Sequence, residues 1–270
     1  MKYLILLILL TVIFILFIIL NKKNEYFTSN QKINFIDKII WINLDRSPQR
    51  KDYMNQLLKS IPIQNQRISG IDGNKSNVEN IINGLLLGKK MSLGEIGCTL
   101  SHIKAINSLK NEPGSYFMVC EDDISFTHLN YFNKTLKNII EESPTFDILM
   151  INKTYPNEIN DTYVNWKDYY QKNKKIWGTV CYIISKKGIN KLIKICKYID
   201  DNHFIFNKNL NNTFDVADFY LYNLLDTWVY KYNFINSKDE SSTIHNNHLN
   251  YHDKSNKFNL ELIKRDINQL

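Results

Sequence analysis

The sequence predicts an α/β domain with a mostly parallel central sheet. Short apolar, β-prone runs alternate with stretches whose apolar residues recur at helical spacing, the pattern of strands linked by crossover helices. One run, Tyr116-Phe117-Met118-Val119-Cys120, ends abruptly in Glu121-Asp122-Asp123. In open α/β sheets ligands bind beyond the carboxyl ends of the strands, which is where these acids fall. The chain has 270 residues, enough for one large domain or two small ones, and 44% are hydrophobic, which argues for a packed core and against wholesale disorder.

Taken in order, residues 3–20 carry no charge and are long enough to cross a bilayer. No small-x-small cleavage site follows them, so an uncleaved anchor is expected over 1–23, a polar stem over 24–35 and the folded domain over 36–270. Lys2 on one side and Lys22-Lys23 on the other leave the orientation rule nearly balanced. A buried strand is expected over 38–44, then a loop at Asp45-Arg46 and a helix with Ser47 as cap and Pro48 at its first position. Tyr53, Met54, Leu57 and Leu58 form the apolar stripe of that helix. Residues 66–73 read as a short strand ending in an Asp72-Gly73 turn, and 74–90 as polar and irregular.

Ser92-Leu93-Gly94-Glu95 is a capping box, and the helix it opens runs to Leu109 with Ile96, Leu100, Ile103 and Ile106 on one side. After the turn signal Asn111-Glu112-Pro113-Gly114-Ser115 comes the acidic strand. A helix is expected over 129–142 and a strand over 146–151. Residues 152–176 are polar and aromatic-rich, the length and character of a lid or binding loop. A strand over 179–184 follows, then a helix capped by Ser185 that carries Ile189, Leu192, Ile193 and Cys196. A helix over 215–225 and a strand over 228–232 close the pattern.

The formal net charge of +7 comes from scattered lysines with no arginine-rich stripe, so the charge does not argue for nucleic acid, and an anionic substrate or a negative membrane surface would also suit it. Cys98, Cys120, Cys181 and Cys196 show no CxxC spacing and lie in apolar segments, so they read as buried free thiols, with a disulfide as the unsupported alternative. Three adjacent carboxylates repel one another and are costly to bury unpaired, so a positive partner is expected among them. A hard divalent cation is the simplest candidate. The alternative is an acidic turn that caps the next helix.

Three segments together resemble glycosyltransferase family 25: Ile40-Trp41-Ile42-Asn43-Leu44-Asp45-Arg46-Ser47-Pro48-Gln49-Arg50, then Leu93-Gly94-Glu95-Ile96-Gly97-Cys98-Thr99-Leu100-Ser101-His102, then Val119-Cys120-Glu121-Asp122-Asp123-Ile124. Residues 179–188 are a weaker fourth match in the same order. The resemblance implies a GT-A-type nucleotide-sugar-binding fold and a UDP-hexose donor, galactose or glucose. It also implies Mn²⁺ or Mg²⁺, inversion at the anomeric carbon, and a glycan or glycoprotein hydroxyl as acceptor. The anchor and stem look like the layout of single-pass transferases whose catalytic domain is lumenal or extracytoplasmic. A catalytically inactive glycan- or nucleotide-binding member is the alternative.

Glu121 and Asp123 are spaced like the ends of a D-x-D metal motif and are assigned to the metal, with Asp122 to the ribose of the nucleotide. Asp218 lies in a segment resembling a later acidic motif of the family and is the candidate base; the rival reading is a helix N-terminal acid. Asn43, Arg46 and Arg50 follow the first strand and suit a diphosphate, with an exposed helix-face charge as the alternative for Arg50. Ser101 and His102 are candidate substrate contacts, His102 alternatively a structural residue. His245 is a candidate third metal ligand or else part of a polar tail.

Overall fold

The computed structural model describes residues 10–12, 14, 31–154, 158–173, 176–207, 213–238 and 248–266. In chain order its elements are β1 (Lys38–Asn43), α1 (Pro48–Lys59), β2 (Asn65–Ser69), α2 (Val78–Ile81), α3 (Leu93–Ser108), β3 (Tyr116–Glu121) and β4 (Ile124–Ser125). A 3₁₀ turn (Thr127–Tyr131) leads to α4 (Leu136–Glu142), β5 (Ile148–Met150), β6 (Tyr163–Asn165), α5 (Trp166–Asn173), β7 (Cys181–Ser185) and α6 (Lys186–Ile195). The rest are β8 (Cys196–Asp200), β9 (His203–Phe206), α7 (Ala217–Leu224), β10 (Thr227–Tyr230), β11 (Asn236–Ser237) and α8 (His248–Asp266).

Seven strands form one sheet in the order β2-β1-β3-β7-β5-β10-β6. Strands β1, β2, β3, β5 and β10 run one way, while β7 and β6 run against them. The sheet is therefore largely parallel, as expected, with β7 inserted antiparallel at its centre. Because strand residues alternate faces, the sheet buries two apolar layers. Ile40, Phe117, Val119 and Ile184 pack with α3, α6 and α7 on one face. Ile39, Trp41, Met118 and Ile183 pack with α1, α4 and α8 on the other. Both faces being covered explains why the central strands read as unbroken apolar runs.

Several expectations are corrected. The helix over 129–142 is broken, because Thr135 and Asn138 make a capping box that restarts the chain at Leu136. The stretch 152–176 is no open lid. It supplies β6, paired to the sheet edge at β10, and α5, whose Trp166 is buried with its indole N–H donating to the Ile176 carbonyl. Cys196 leaves the helix and starts the β8–β9 hairpin. Helix α8 had no counterpart in the sequence reading.

The single-pass membrane placement is also corrected. No helix among the described residues is long and apolar enough to cross a membrane. Most of the 3–20 stretch lies outside those residues.

Candidate active site

The carboxyl ends of β1 and β3, the loop after β2 and the N-terminus of α3 enclose a cleft of about 280 Å³. Of the residues expected to bind substrate, it brings Asn43, Arg46, Arg50, Ser101, His102 and Asp122 into its lining, together with Glu121. Local sequence explains why α3 can come so close. Ser92 accepts from the Glu95 N–H, and Glu95 accepts in turn from the Ser92 N–H at 2.8 Å, so the helix starts at a fixed residue. A Cβ on Gly97 would stand 2.6 Å from the Ile71 carbonyl oxygen, and one on Gly73 would stand 1.8 Å from that of Leu93. Glycine at both positions is what lets the helix end lie on the β2 loop. Ser101 then ties them together: its hydroxyl donates to the Gly97 carbonyl at 2.6 Å and accepts from the Ile71 N–H at 2.8 Å.

The positive partner expected for the acidic triplet is Arg50. From α1 it donates Nη1 to Asp122 Oδ1 at 2.6 Å and Nη2 to Asp123 Oδ2 at 3.2 Å. Asn43 Nδ2 donates to the other Asp122 oxygen at 2.6 Å. Arg67 Nε in turn donates to Asn43 Oδ1 at 2.8 Å, which fixes the orientation of that amide. Burial pushes the Asp122 carboxyl above its ordinary value, against the pull of Arg50 and Asn43. Arg46 reaches across the mouth to Asp72 at 2.8 Å.

This arrangement fits Mn²⁺ or Mg²⁺ at Glu121 and Asp123 poorly. Hard cations take free carboxylate oxygens, and Asp122 and Asp123 already share a guanidinium. The acid facing the cleft clear of Arg50 is Glu121. Its Oε1 accepts from the Thr179 hydroxyl at 2.7 Å and lies 3.6 Å from His102 Nε2. Burial works to raise the Glu121 carboxyl, and His102 and Thr179 together outweigh it, leaving it below the usual range. His102 is 1% exposed, and its Nδ1 lies 3.0 Å from the Tyr182 hydroxyl.

Asp218 is not in the cleft wall. It sits at the start of α7, where Oδ2 accepts from the Gly178 N–H at 3.1 Å and Oδ1 from the Phe219 N–H at 2.9 Å. Burial pushes its carboxyl up. Burial raises the Cys98 thiol well above its usual range, and the charges of Glu121 and Asp218 push it the same way. His245 lies outside the described residues.

Sequence reasoning missed Cys98, Tyr182 and Thr179. Cys98 and His102 are four apart on a capped helix and so share a face, a signal that was available. Tyr182 and Thr179 enter through the antiparallel pairing of β7 with β3, which the sequence did not announce. The thiols themselves are free, as expected.

The model of a family described as glycosyltransferase family 25 (LPS biosynthesis protein) matches residues 36–206. A Drosophila melanogaster protein named glycosyltransferase 25 family member is 26% identical over 201 residues, 67% of this chain and 32% of that protein. Human procollagen galactosyltransferase 2 is 26% identical over 171 residues, 58% of this chain and 27% of its own. The human inactive glycosyltransferase 25 family member 3 is 26% identical over 176 residues, 60% and 29% respectively. The chain thus spans about a third or less of the length of these relatives. Mouse xyloside xylosyltransferase 1 aligns with a TM-score of 0.27 at 7% identity over 62% of this chain and 64% of that one, too loosely to bear on the fold.

Proposed function

The chain belongs to glycosyltransferase family 25, and on that premise we propose that it moves a hexosyl group, galactose or glucose, from a UDP-sugar to a hydroxyl of a glycan or glycoprotein. The observation that carries this reading is the cleft at the carboxyl ends of β1 and β3. It gathers Asn43, Arg46, Arg50, Ser101 and Asp122 where an open α/β sheet binds its ligand. The largely parallel sheet suits the GT-A-type arrangement. Arg46 and Arg50 both line the cleft and supply the positive charge that suits a diphosphate. Asp122, fixed by Asn43 and Arg50, is the acceptor for the ribose hydroxyls.

Asp218 is the proposed base. It stands on α7, a different element from the acids that end β3 and from the two arginines, and burial raises its carboxyl, which favours a proton acceptor. In the step itself, the acceptor oxygen bonds to the anomeric carbon as its proton passes to Asp218. The bond from that carbon to the diphosphate breaks, UDP leaves, and the configuration inverts. Gly178, whose N–H holds Asp218, adjoins Trp177, and the Trp177 ring meets Tyr251, which is 50% exposed. Partly exposed aromatic rings beside the base are a platform suited to a sugar acceptor. No step here passes through a metal ion.

A non-catalytic reading has one observation in its favour: Arg50 pairs with two of the three acids within the chain itself. A panel of UDP-hexoses scored by UDP release against a mixed acceptor library decides between them. Acceptor-dependent release with one donor supports the transferase. Saturable UDP-sugar binding with no release from any donor and acceptor pair would establish a binder.

A further inference from the structure

Cys98, His102 and Glu121 present one ligand atom each, a sulfur, a nitrogen and an oxygen, all within 4.8 Å of one another. We infer that these three side chains form a binding site for a late first-row divalent ion of the zinc class, with a fourth position open to the cleft. The inference goes beyond the sugar-transfer reading and does not depend on it.

The donor set is the first reason. Thiolate, imidazole and carboxylate together are the mixed set that zinc accepts, whereas Mg²⁺ and Mn²⁺ favour oxygen alone. Three protein ligands with an open fourth position is the pattern of a site that also meets a ligand in the cleft. Spacing is the second. In a tetrahedral shell neighbouring ligand atoms stand roughly 3.3–3.7 Å apart, from metal–ligand bonds of about 2.0–2.3 Å. His102 Nε2 and Glu121 Oε1 are already 3.6 Å apart.

The third reason is the state of the imidazole itself. His102 is 1% exposed, yet its Nε2 has no hydrogen-bond partner and faces Glu121. A buried imidazole nitrogen left so is costly unless something else meets it. A proton on Nδ1, donated to the Tyr182 hydroxyl at 3.0 Å, leaves the Nε2 lone pair turned toward Cys98 and Glu121. The Thr179 hydroxyl holds the carboxylate at 2.7 Å. Ligands oriented in this way by a second set of hydrogen bonds are characteristic of metal centres. Backbone placement makes the site rigid. Cys98 and His102 stand one turn apart on the capped α3, and Glu121 ends β3. On binding, the Cys98 thiol gives up its proton to solvent and the sulfur takes the ion.

The test uses the full chain, stripped with a chelator and titrated with Co²⁺ as a spectroscopic stand-in for Zn²⁺. The expected result is a thiolate-to-cobalt charge-transfer band with tetrahedral d–d bands, saturating at one equivalent and displaced by Zn²⁺. Cys98→Ser should lose the charge-transfer band. Thr179→Val, which touches only the orientation of Glu121, should keep the band and weaken affinity by about 10-fold or more. Folded wild-type protein that shows no band and retains no Zn²⁺ on dialysis would overturn the inference, as would a band that persists in Cys98→Ser. UDP-sugar binding measured on the same stripped protein reports separately on the transferase reading.

Discussion

Strands β3 and β5 run in the same direction, and their carboxyl ends open on the same edge of the sheet, yet the two ends have opposite fates. Past β3 the chain enters Glu121-Asp122-Asp123, and the space above remains a cleft. Past β5 it enters Asn152 and Lys153, and helix α8 closes over them. Lys153 is 1% exposed and reaches the Lys231 carbonyl and the side-chain oxygens of Asn233 and Asn259, while Ser255 donates to its carbonyl at 3.1 Å. Both ends bury charge. At β3 two of the acids pair with a single arginine from a helix on the sheet's flank, which leaves the strand end accessible. At β5 a cation is held by neutral oxygens beneath a helix lying across the end. Position in the fold alone does not make a site; the element that covers the strand end decides.

The sharpest test of the open side is Asp218→Asn. It keeps size and one of the two backbone hydrogen bonds that Asp218 accepts but cannot take the proton, so turnover of protein shown to be folded should fall about 10²–10⁴-fold, while UDP-sugar affinity measured calorimetrically stays near wild type. If the two fall together, Asp218 serves folding or donor binding instead.

Arg50→Ala is next in size. Removing one partner of a fully buried ion pair costs about 3–5 kcal/mol, and the 15% exposure of Arg50 places the loss toward the lower end. Urea unfolding should show it together with weakened donor binding, and unchanged stability would mean that Asp122 and Asp123 do not depend on this cation.

Gly97→Ala should cost about 1–3 kcal/mol by pushing α3 off the β2 loop, again with loss of donor affinity. Gly188→Ala makes the matching contrast, since its Cβ would meet the Asp147 carbonyl at 2.6 Å, at the opposite edge of the sheet. Stability should drop and donor affinity should not, and a loss of affinity there would erase the distinction between the two edges.

The last contrast is read against pH and belongs to the closed side. Burial lowers the Lys153 ammonium from the ordinary 10.5 to about 7. Between those values the unfolded chain binds more protons than the folded one, so stability should rise with pH across that window. Lys153→Met should flatten that rise in unfolding curves taken from pH 7 to about 10.5. An unaltered slope would show that another group titrates there.

Much of this architecture was legible in the sequence, and the reasons are local. The capping box at Ser92 and Glu95, the Ser47-Pro48 helix start and the apolar runs of β1, β3 and β5 depend on neighbours along the chain, and each appears where expected. Asn43, Arg46, Arg50, Ser101, His102 and Asp122 converge because two strand ends and one helix start bring them together. What escaped the sequence reading depends on long-range pairing. That a cation would answer the acids was foreseeable from their repulsion; that it would be Arg50 required α1 to lie against the end of β3. Residues 152–176 looked like a lid because nothing in their own pattern tells that Tyr163–Asn165 pairs with β10. Cys98 was passed over as a buried thiol because its partner Glu121 arrives from another element.

The most direct measurement is amide hydrogen exchange on the full chain with and without a UDP-hexose. The account predicts slowed exchange in peptides covering 43–50 and 92–102, the walls of the cleft, and no change over 151–154 or 255–263 beneath and within α8. Protection confined to the α8 side, with none at 43–50 and 92–102, would contradict it.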